Sequence, residues 1–370
     1  MSDDKMLKEF GKKVSEVVQG RNLTRQETKE MFYQVLLNEQ PDLQQGAFLV
    51  VLTAKGETPE EIAGSWDAIF EIDTMKVNPL TPEPLVENCG TGMDELKTFN
   101  ISTAAAIVAA ANGIYMAKHA ARALTSTCGA VDIVEAFGVD VECDVETVKH
   151  SIEKVGIGIF NGMSPMVHPQ ALGRILSQIR FGTILNIAAS LANPALPRYG
   201  VRGVYSKVLT EPVARLMKEI GYRRALVVHG LNADGTKGMD EISSIGETKI
   251  AELHEDGRIT NYSLFPEDFG IQRATYEDLL PSANIEEEAL NFLSILCAKE
   301  HGPKCDIVCL NTAPILYLMG KVKDFKEGLN KARETIESGQ AIAILRRWVE
   351  EQNTCPEAGL AKLDYLLAQI

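Results

Sequence analysis

Several hallmarks of membrane, secreted and nucleic-acid-binding proteins are missing from this sequence of 370 residues. No uninterrupted apolar run is long enough to cross a bilayer, which argues against a transmembrane helix. No secretory apolar core follows the first residues, so we expect no signal peptide. The formal charge of -14 disfavours nucleic acid as a partner, because phosphate repulsion would have to be overcome locally.

Cysteine pairs with the spacing of a redox or zinc motif are also missing. The seven cysteines show no C-x-x-C spacing, and an odd number does not suggest a disulfide framework. Reduced thiols are the simpler interpretation, so we expect a cytoplasmic protein. Cys305 and Cys309 lie four residues apart beside a predicted buried strand, where packing explains them better than metal binding.

Two regions of different periodicity divide the chain. Residues 1–78 predict helices throughout, with capping boxes that begin at Thr24 and Thr58. After the proline-dense stretch 78–84, short apolar segments alternate with helical ones, which is typical of an α/β domain with a mostly parallel sheet. The expected strands are 113–118, 157–160, 225–229 and 306–310, and the expected helices between them are 103–112, 129–137, 211–219 and 286–299.

The length favours two packed regions rather than one core. We expect residues 1–78 and about 165–192 to form a discontinuous helical domain. Residues 79–164 and 193–348 then form the α/β domain, and 349–370 form a C-terminal helical extension. In such a sheet, the loops at the carboxyl ends of the strands form the binding site.

A glycine turn followed by a helix start, within residues 88–103, is the best candidate for that site. Gly90 and Gly92 allow the backbone to approach a ligand that a Cβ would repel. Ser102 and Thr103 stand where the next helix begins, and the free N–H groups and dipole of a helix start favour phosphate. An ordinary cap on a buried Ala-rich helix explains the same two residues equally well.

Other segments carry groups that bind ions. Lys118, His119 and Arg122 leave a strand end and form either an anion clamp or a solvated basic turn. Residues 125–129, with Ser126, open a helix and offer a second possible phosphate site. Asp240 and Glu241 are adjacent carboxylates that suit Mg²⁺ with substrate phosphate oxygens, or simply the acidic first turn of a helix.

In this order, the segments resemble the anthranilate phosphoribosyltransferase family, which is related to the pyrimidine nucleoside phosphorylases. The resemblance extends to about Trp348 and implies a helical domain beside an α/β domain, a cleft between them and a homodimer built on the helices. The matching segments are Gly90-Thr91-Gly92, Thr98-Phe99-Asn100-Ile101-Ser102-Thr103, Lys118-His119, Val227-Val228-His229-Gly230 with Asp240-Glu241, Pro266-Glu267-Asp268-Phe269-Gly270, Leu310-Asn311-Thr312-Ala313 and Glu327-Gly328-Leu329.

The family transfers ribose 5-phosphate from phosphoribosyl pyrophosphate to an amine with the help of Mg²⁺, and the resemblance implies a role for each matching residue. Lys118, Asp240 and Glu241 are the expected catalytic residues, and Ser102, Asp240 and Glu241 the expected Mg²⁺ ligands, directly or through water. The expected substrate contacts are Gly90, Thr91, Gly92, Asp94, Thr98, Asn100, Ser102, Thr103, Lys118, His119, Ser126 and Arg174, with Asp94 facing the ribose hydroxyls.

Departures from the family pattern lie mostly on the acceptor side. Met93 and Glu95 stand where the family has glycines, and Ala120 and Ala121 stand where it has Gly-Asn. The arginine that pairs with the anthranilate carboxylate has no clean counterpart, so Arg174 or Arg180 would have to replace it from a shifted position, unless they only pair with surface acids.

Three functions are compatible with these departures. We expect a phosphoribosyltransferase whose acceptor is an unidentified aromatic or heterocyclic amine rather than anthranilate. The first alternative is a true anthranilate phosphoribosyltransferase of tryptophan biosynthesis with a divergent pocket. The second is a non-catalytic homologue that binds a nucleotide or nucleic acid, which Met93 and Glu95 favour and the acid pair disfavours.

Overall fold

Helices fill the N-terminal region of the structure, a computed structural model that describes residues 3–123, 128–179 and 181–370. Both predicted capping boxes are present, with Thr24 Oγ1 accepting from the Glu27 N–H at 3.2 Å and Thr58 Oγ1 accepting from the Glu61 N–H at 3.3 Å. The α-helices of the described residues are α1 (Asp3–Val18), α2 (Arg25–Leu36), α3 (Asp42–Lys55), α4 (Pro59–Ile72), α5 (Ile101–Ala111), α6 (Ala130–Ala136), α7 (Val145–Val155), α8 (Leu172–Ile179), α9 (Leu185–Ala188), α10 (Thr210–Glu219), α11 (Ile285–Leu296), α12 (Pro303–Leu318), α13 (Phe325–Glu337), α14 (Gln340–Glu351) and α15 (Pro356–Leu367).

Two compact units make up the described chain. One consists of Met1–Lys76 and Gly162–Pro194, and the other of Val77–Asn161 and Ala195–Ile370. Within the first unit, the indole Nε1 of Trp66 donates to the Leu191 carbonyl at 2.9 Å. The carboxylate of Asp73 accepts three backbone hydrogen bonds at the start of α8, which hold the returning segment on the first helices.

The second unit contains the sheet. Its strands are β1 (Leu85–Gly90), β2 (Tyr115–Ala120), β3 (Ile157–Asn161), β4 (Tyr199–Gly203), β5 (Arg224–Leu231), β6 (Gly238–Met239), β7 (Thr248–Leu253) and β8 (Ile259–Leu264). They lie in the order β3-β2-β1-β4-β5-β7-β8, with β6 paired to β5. The first five strands are mutually parallel and the last three pair antiparallel, so the expected mostly parallel sheet is confirmed. The carboxyl ends of β1, β2, β4 and β5 therefore meet at one edge.

One predicted strand is wrong, and several strands were missed. Residues 306–310 lie inside α12, where Cys305 and Cys309 are both buried. Residues 307–316 of this helix are all buried, so the sequence shows no helical stripe that would distinguish it from a buried strand. The missed strands β4, β7 and β8 contain glycine or many polar residues, and β7 and β8 form a hairpin rather than a strand-helix unit.

The C-terminal segment covers a free edge of the sheet. The side-chain amide of Gln352 donates to the Ile159 carbonyl and accepts from the Ile159 N–H, both at 2.9 Å. The amide thus takes the place of a neighbouring strand at the edge strand β3. Among the residues described, no helix has the length and apolar character needed to cross a membrane.

Candidate active site

The site is built first on a buried lysine at the end of β2. Lys118 Nζ donates to both the backbone carbonyl and the side-chain Oδ1 of Asn88, at 3.0 and 3.1 Å. Asn88 in turn donates from Nδ2 to the Ser102 carbonyl at 2.7 Å, which ties β1 to the first turn of α5. Burial lowers the pKa of Lys118. Its ammonium is held in one place against Asn88 of β1.

The glycine turn and the acid pair meet directly. Asp240 Oδ2 accepts a hydrogen bond of 2.7 Å from the Gly92 N–H. A Cβ at Gly90 would lie 2.1 Å from the same oxygen, and a Cβ at Gly203 would lie 1.6 Å from the Asp240 carbonyl oxygen. The ends of β1 and β4 must therefore be glycine for the segment that carries Asp240 to cross them.

Other backbone contacts hold the turn and this segment together. The N–H groups of Glu95 and Leu96 both donate to the Gly238 carbonyl, at 3.2 and 3.1 Å. On the far side, Asn311 of α12 accepts from the Ile242 N–H at 2.8 Å and donates to the Ile242 carbonyl at 3.0 Å. Because Ile242 directly follows Glu241, the Asn311 amide fixes the backbone of the acid pair.

The surroundings of Asp240 and Glu241 disfavour the ionised form of both carboxyls. Burial and the nearby charge of Asp94 raise the pKa of the Asp240 carboxyl to about 7. Burial and the Asp240 charge raise the pKa of Glu241 well above its ordinary value. The backbone amide of Ser102 opposes this rise by favouring the ionised Glu241 carboxyl, so the start of α5 acts on the same site.

These residues fit a Mg²⁺ ion that is shared with a substrate. Across the described ranges, no group of three or more His, Cys, Asp and Glu side chains is arranged to hold a metal by itself. Mg²⁺ is commonly held by one or two carboxylates together with substrate phosphate oxygens, which is what Asp240 and Glu241 offer. Burial and neighbouring negative charges raise both pKa values, and a nearby cation would oppose that rise.

The start of α5 carries a second feature that suits an anion. The hydroxyl Oγ1 of Thr103 is fully buried and makes no hydrogen bond within the part of the chain that is described. A buried hydroxyl without a partner costs about 1–3 kcal/mol, so a ligand oxygen here would recover that energy. Asn100, the residue before α5, donates from Nδ2 to the Cys128 carbonyl at 3.3 Å. The loop after β2 and the start of α5 are thus neighbours.

Further predicted substrate residues lie in the same unit. Thr91 donates its N–H to the Gly203 carbonyl at 3.0 Å and is buried, and Thr98 is half-buried in the loop before α5. Asp94 lies 3.0 Å from Lys97 Nζ, and His119 is buried at the end of β2. Ser126, the residue of the second predicted phosphate site, lies outside the described residues, as does Arg180.

Two predicted anion-binding arginines are already bound to protein groups. Arg174 lies in the helical unit, where Nη2 donates to Gln45 Oε1 at 3.0 Å and Nη1 lies 3.3 Å from Asp42 Oδ1. This placement gives no support to a contact with an acceptor carboxylate. Arg122 pairs with three acids, Asp132, Glu135 and Glu142, which gives no support to an anion clamp that includes it.

The two residues of the turn that stand where the family resemblance implies glycines are both exposed. Met93 has φ 68°, a left-handed conformation that favours glycine, and its side chain is 39% exposed. Glu95 is also exposed, while its backbone holds the Gly238 carbonyl. The turn therefore keeps a left-handed backbone at Met93, one of the two positions where the family resemblance implies a glycine.

Sequence reasoning missed the residues that hold this site in place. Asn88 and Lys97 were not singled out, and Asn311 entered only as part of a matching segment. A single asparagine or lysine carries no periodic signal, and the contacts of these residues join positions as far as 179 residues apart in the chain. For Asn311, the sequence signal was an amide within the mostly apolar run 305–316, since an amide that is buried there must find hydrogen-bond partners.

Comparison with known proteins agrees with this geometry. Residues 82–342 match the model described as the glycosyl transferase family, a/b domain, and residues 14–71 match the helical bundle domain of the same family. The anthranilate phosphoribosyltransferase of Persephonella marina is 38% identical over 344 residues, which cover 92% of this chain and 98% of the relative. That of Acetivibrio thermocellus is 39% identical, covering 93% and 96%.

Solved structures of the same enzyme have the same fold. The anthranilate phosphoribosyltransferase of Thermus thermophilus superimposes with a TM-score of 0.82 at 34% identity, covering 92% of this chain and 98% of that one. The Saccharomyces cerevisiae enzyme in complex with PRPP and Mg gives a TM-score of 0.78 at 26% identity, covering 90% and 94%. Fold and matches together define the protein as a glycosyltransferase that moves a pentose group. Within that class, the chain belongs to the anthranilate phosphoribosyltransferase family.

Proposed function

We propose that this protein transfers ribose 5-phosphate from phosphoribosyl pyrophosphate to an aromatic or heterocyclic amine and releases pyrophosphate with the help of Mg²⁺. The contact between the Gly92 N–H and Asp240 Oδ2 carries the proposal, because it joins the glycine turn to the acid pair beside α5. A relative of known structure is described in complex with PRPP and Mg, which supports the same donor and cation here.

The chemistry needs charge stabilisation more than proton transfer. As the bond to the leaving pyrophosphate breaks, negative charge grows on the diphosphate and positive charge on the ribose. Mg²⁺ bound by Asp240, Glu241 and Ser102 would supply Lewis-acid neutralisation of the diphosphate charge. The open backbone at Gly92 admits the diphosphate closely, whereas the space beside Gly90 is taken by Asp240, and Asp94 holds the ribose hydroxyls.

The remaining residues orient the donor and stabilise its charge. The helix start at Ser102 and Thr103, with Asn100, holds phosphate oxygens through N–H and hydroxyl groups. Lys118 stabilises the charge of the donor phosphates, because its ammonium is fixed against Asn88. Placing the acceptor amine in line with the breaking bond provides the rest of the rate enhancement.

For the acceptor, we propose an amine other than anthranilate. Ala120 and Ala121 replace the family's Gly-Asn, which removes an amide that helps to receive anthranilate. Arg174 is engaged by Gln45 and Asp42 rather than available for a carboxylate. A site that has lost such polar partners loses most of its preference for the polar acceptor.

Anthranilate itself, in tryptophan biosynthesis, is the second candidate. The names of relatives that are 38–39% identical over most of this chain favour it. A non-catalytic nucleotide or nucleic-acid-binding role is less well supported, because a pure binder has no evident use for acids whose pKa values are raised together.

Two further proposals concern assembly and compartment. A homodimer through the helical unit is supported by apolar side chains on α3, where Leu43 and Val50 are exposed. A cytoplasmic location is supported by the seven cysteines, which all lie among the described residues and are free thiols.

Calorimetry with phosphoribosyl pyrophosphate, with and without Mg²⁺, tests the proposed function. We expect binding that depends on Mg²⁺, and no binding at millimolar ligand would remove the transferase in both forms. Loss of anthranilate fluorescence on turnover then separates the candidates. Turnover of anthranilate at a rate typical of an enzyme, about 1 s⁻¹ or more, would overturn the proposal of another acceptor.

A further inference from the structure

A lysine in the glycine turn lies beside the acids of the site without belonging to the expected site residues. Lys97 Nζ is 3.0 Å from Asp94 Oδ1, and its side chain is 36% exposed while that of Asp94 is only 11% exposed. The Lys97 charge also acts on the Asp240 carboxyl. The ammonium therefore lies on the solvent side of the acid cluster, where a substrate would arrive.

The backbone of Lys97 is fixed by a hydrogen bond, whereas its side chain is partly exposed. Its carbonyl accepts a hydrogen bond from the Tyr276 hydroxyl at 3.0 Å. Two residues later, the Phe99 N–H donates to the Leu279 carbonyl at 3.3 Å. The segment around Tyr276 thus anchors the turn, and the four-carbon stem of Lys97 can move its ammonium without moving the turn.

Lys118 and Lys97 differ in how firmly their ammonium groups are held. Lys118 is buried and bound to two oxygens of Asn88, so its position is set by the fold. Among the described residues, the Lys97 ammonium has one short contact, to a carboxylate on the rim of the site. A diphosphate carries more negative charge than one carboxylate. The partly exposed Lys97 ammonium can therefore exchange its Asp94 partner for a bound diphosphate.

We propose that Lys97 is a diphosphate-binding residue of this enzyme, held by Asp94 until the substrate arrives and then paired with the diphosphate. The role rests on the proposed function and adds a cation to the site that the family resemblance did not supply. When the ammonium leaves, the Asp94 carboxylate becomes available to the ribose hydroxyls. Binding of the diphosphate and binding of the ribose are thus linked through one ion pair.

Calorimetry on the full chain tests this role with three variants and Mg²⁺ present throughout. Lys97→Gln removes the charge and Lys97→Arg keeps it. Lys149→Gln is a matched control, because Lys149 Nζ also lies 3.0 Å from a carboxylate three residues earlier, Glu146, on α7. The probes are phosphoribosyl pyrophosphate, inorganic pyrophosphate and ribose 5-phosphate, of which only the last lacks a diphosphate.

We expect Lys97→Gln to weaken both diphosphate ligands by about tenfold without weakening ribose 5-phosphate, for which Asp94 is then free. Lys97→Arg should keep most of the affinity, Lys149→Gln all of it, and unfolding temperatures should match the wild type. Equal weakening of all three ligands, or unchanged pyrophosphate affinity in Lys97→Gln, would overturn this role alone. A wild-type protein that binds neither diphosphate ligand would overturn the proposed function itself, and this role with it.

Discussion

Asp240 accepts a hydrogen bond from the backbone N–H of Gly92, although the two residues are 148 positions apart in the chain. The contact brings a half-buried carboxylate to an exposed part of the glycine turn. Because the neighbouring Glu241 is also half-buried and is influenced by Lys118 and by the start of α5, the site combines its negative and positive groups before any ligand arrives.

Removing both charges of the acid pair should abolish Mg²⁺-dependent binding and leave the fold intact. We expect the double variant Asp240→Asn with Glu241→Gln to bind phosphoribosyl pyrophosphate equally with and without Mg²⁺, as measured by calorimetry. Its free energy of unfolding should not fall, because two carboxylates with raised pKa values no longer repel one another. Retention of Mg²⁺-dependent affinity in the folded variant would remove the metal role.

The stability of the metal-free protein should decrease between about pH 4 and pH 7. The pKa of Asp240 is about 7 in the folded protein, above its ordinary value of 3.8, so the folded state holds the proton more tightly. Its contribution to stability is complete at low pH and is lost as the pH rises to 7. Denaturant unfolding from pH 4 to 8 measures this, with Asp240→Asn as the control in which the contribution is absent.

The left-handed backbone at Met93 should make its side chain replaceable by glycine but not by a β-branched residue. We expect Met93→Gly to change the free energy of unfolding by less than about 1 kcal/mol, because relief of strain offsets the added chain entropy. Met93→Ile should destabilise by about 1–3 kcal/mol, since β-branched side chains rarely adopt φ 68°. Met75→Ile, at another exposed methionine without a positive φ, is the control and should have little effect.

Asn311 should support the acid pair from α12. Asn311→Leu leaves the Ile242 N–H and carbonyl without their partner, which we expect to cost about 2–4 kcal/mol of stability and to weaken phosphoribosyl pyrophosphate binding. Thr312→Val is the neighbouring control, because the Thr312 hydroxyl donates to the Val308 carbonyl of its own helix. Should both variants bind the substrate as the wild type does, Asn311 has no part in positioning the site.

Restoring the family's loop after β2 should raise turnover of anthranilate. Ala120→Gly with Ala121→Asn returns the amide that helps to receive this acceptor, so any trace activity should increase about tenfold or more. The measurement is the loss of anthranilate fluorescence with saturating phosphoribosyl pyrophosphate and Mg²⁺. An unchanged rate in a folded double variant would mean that the acceptor pocket differs elsewhere.

Features that depend on neighbouring residues were determined by the sequence alone. The capping boxes at Thr24 and Thr58, the glycine turn at Gly90 and Gly92 and the small residues of α5 each form through contacts within a few positions. The acid pair could be recognised as a candidate cation site for the same reason. Local hydrogen bonding and steric freedom decide these features before the chain has folded around them.

Only the tertiary structure decided features that depend on distant contacts. Residues 306–310 form part of a helix although the sequence predicts a strand. Because the packed core buries α12 along most of its length, its sequence lacks the apolar periodicity that identifies a helix. Arg174 was assigned by chain position, yet its partners Gln45 and Asp42 come from α3. The Gly92–Asp240 contact likewise arises where strands far apart in the chain end side by side, because sheet order and register, not spacing, determine which side chains meet.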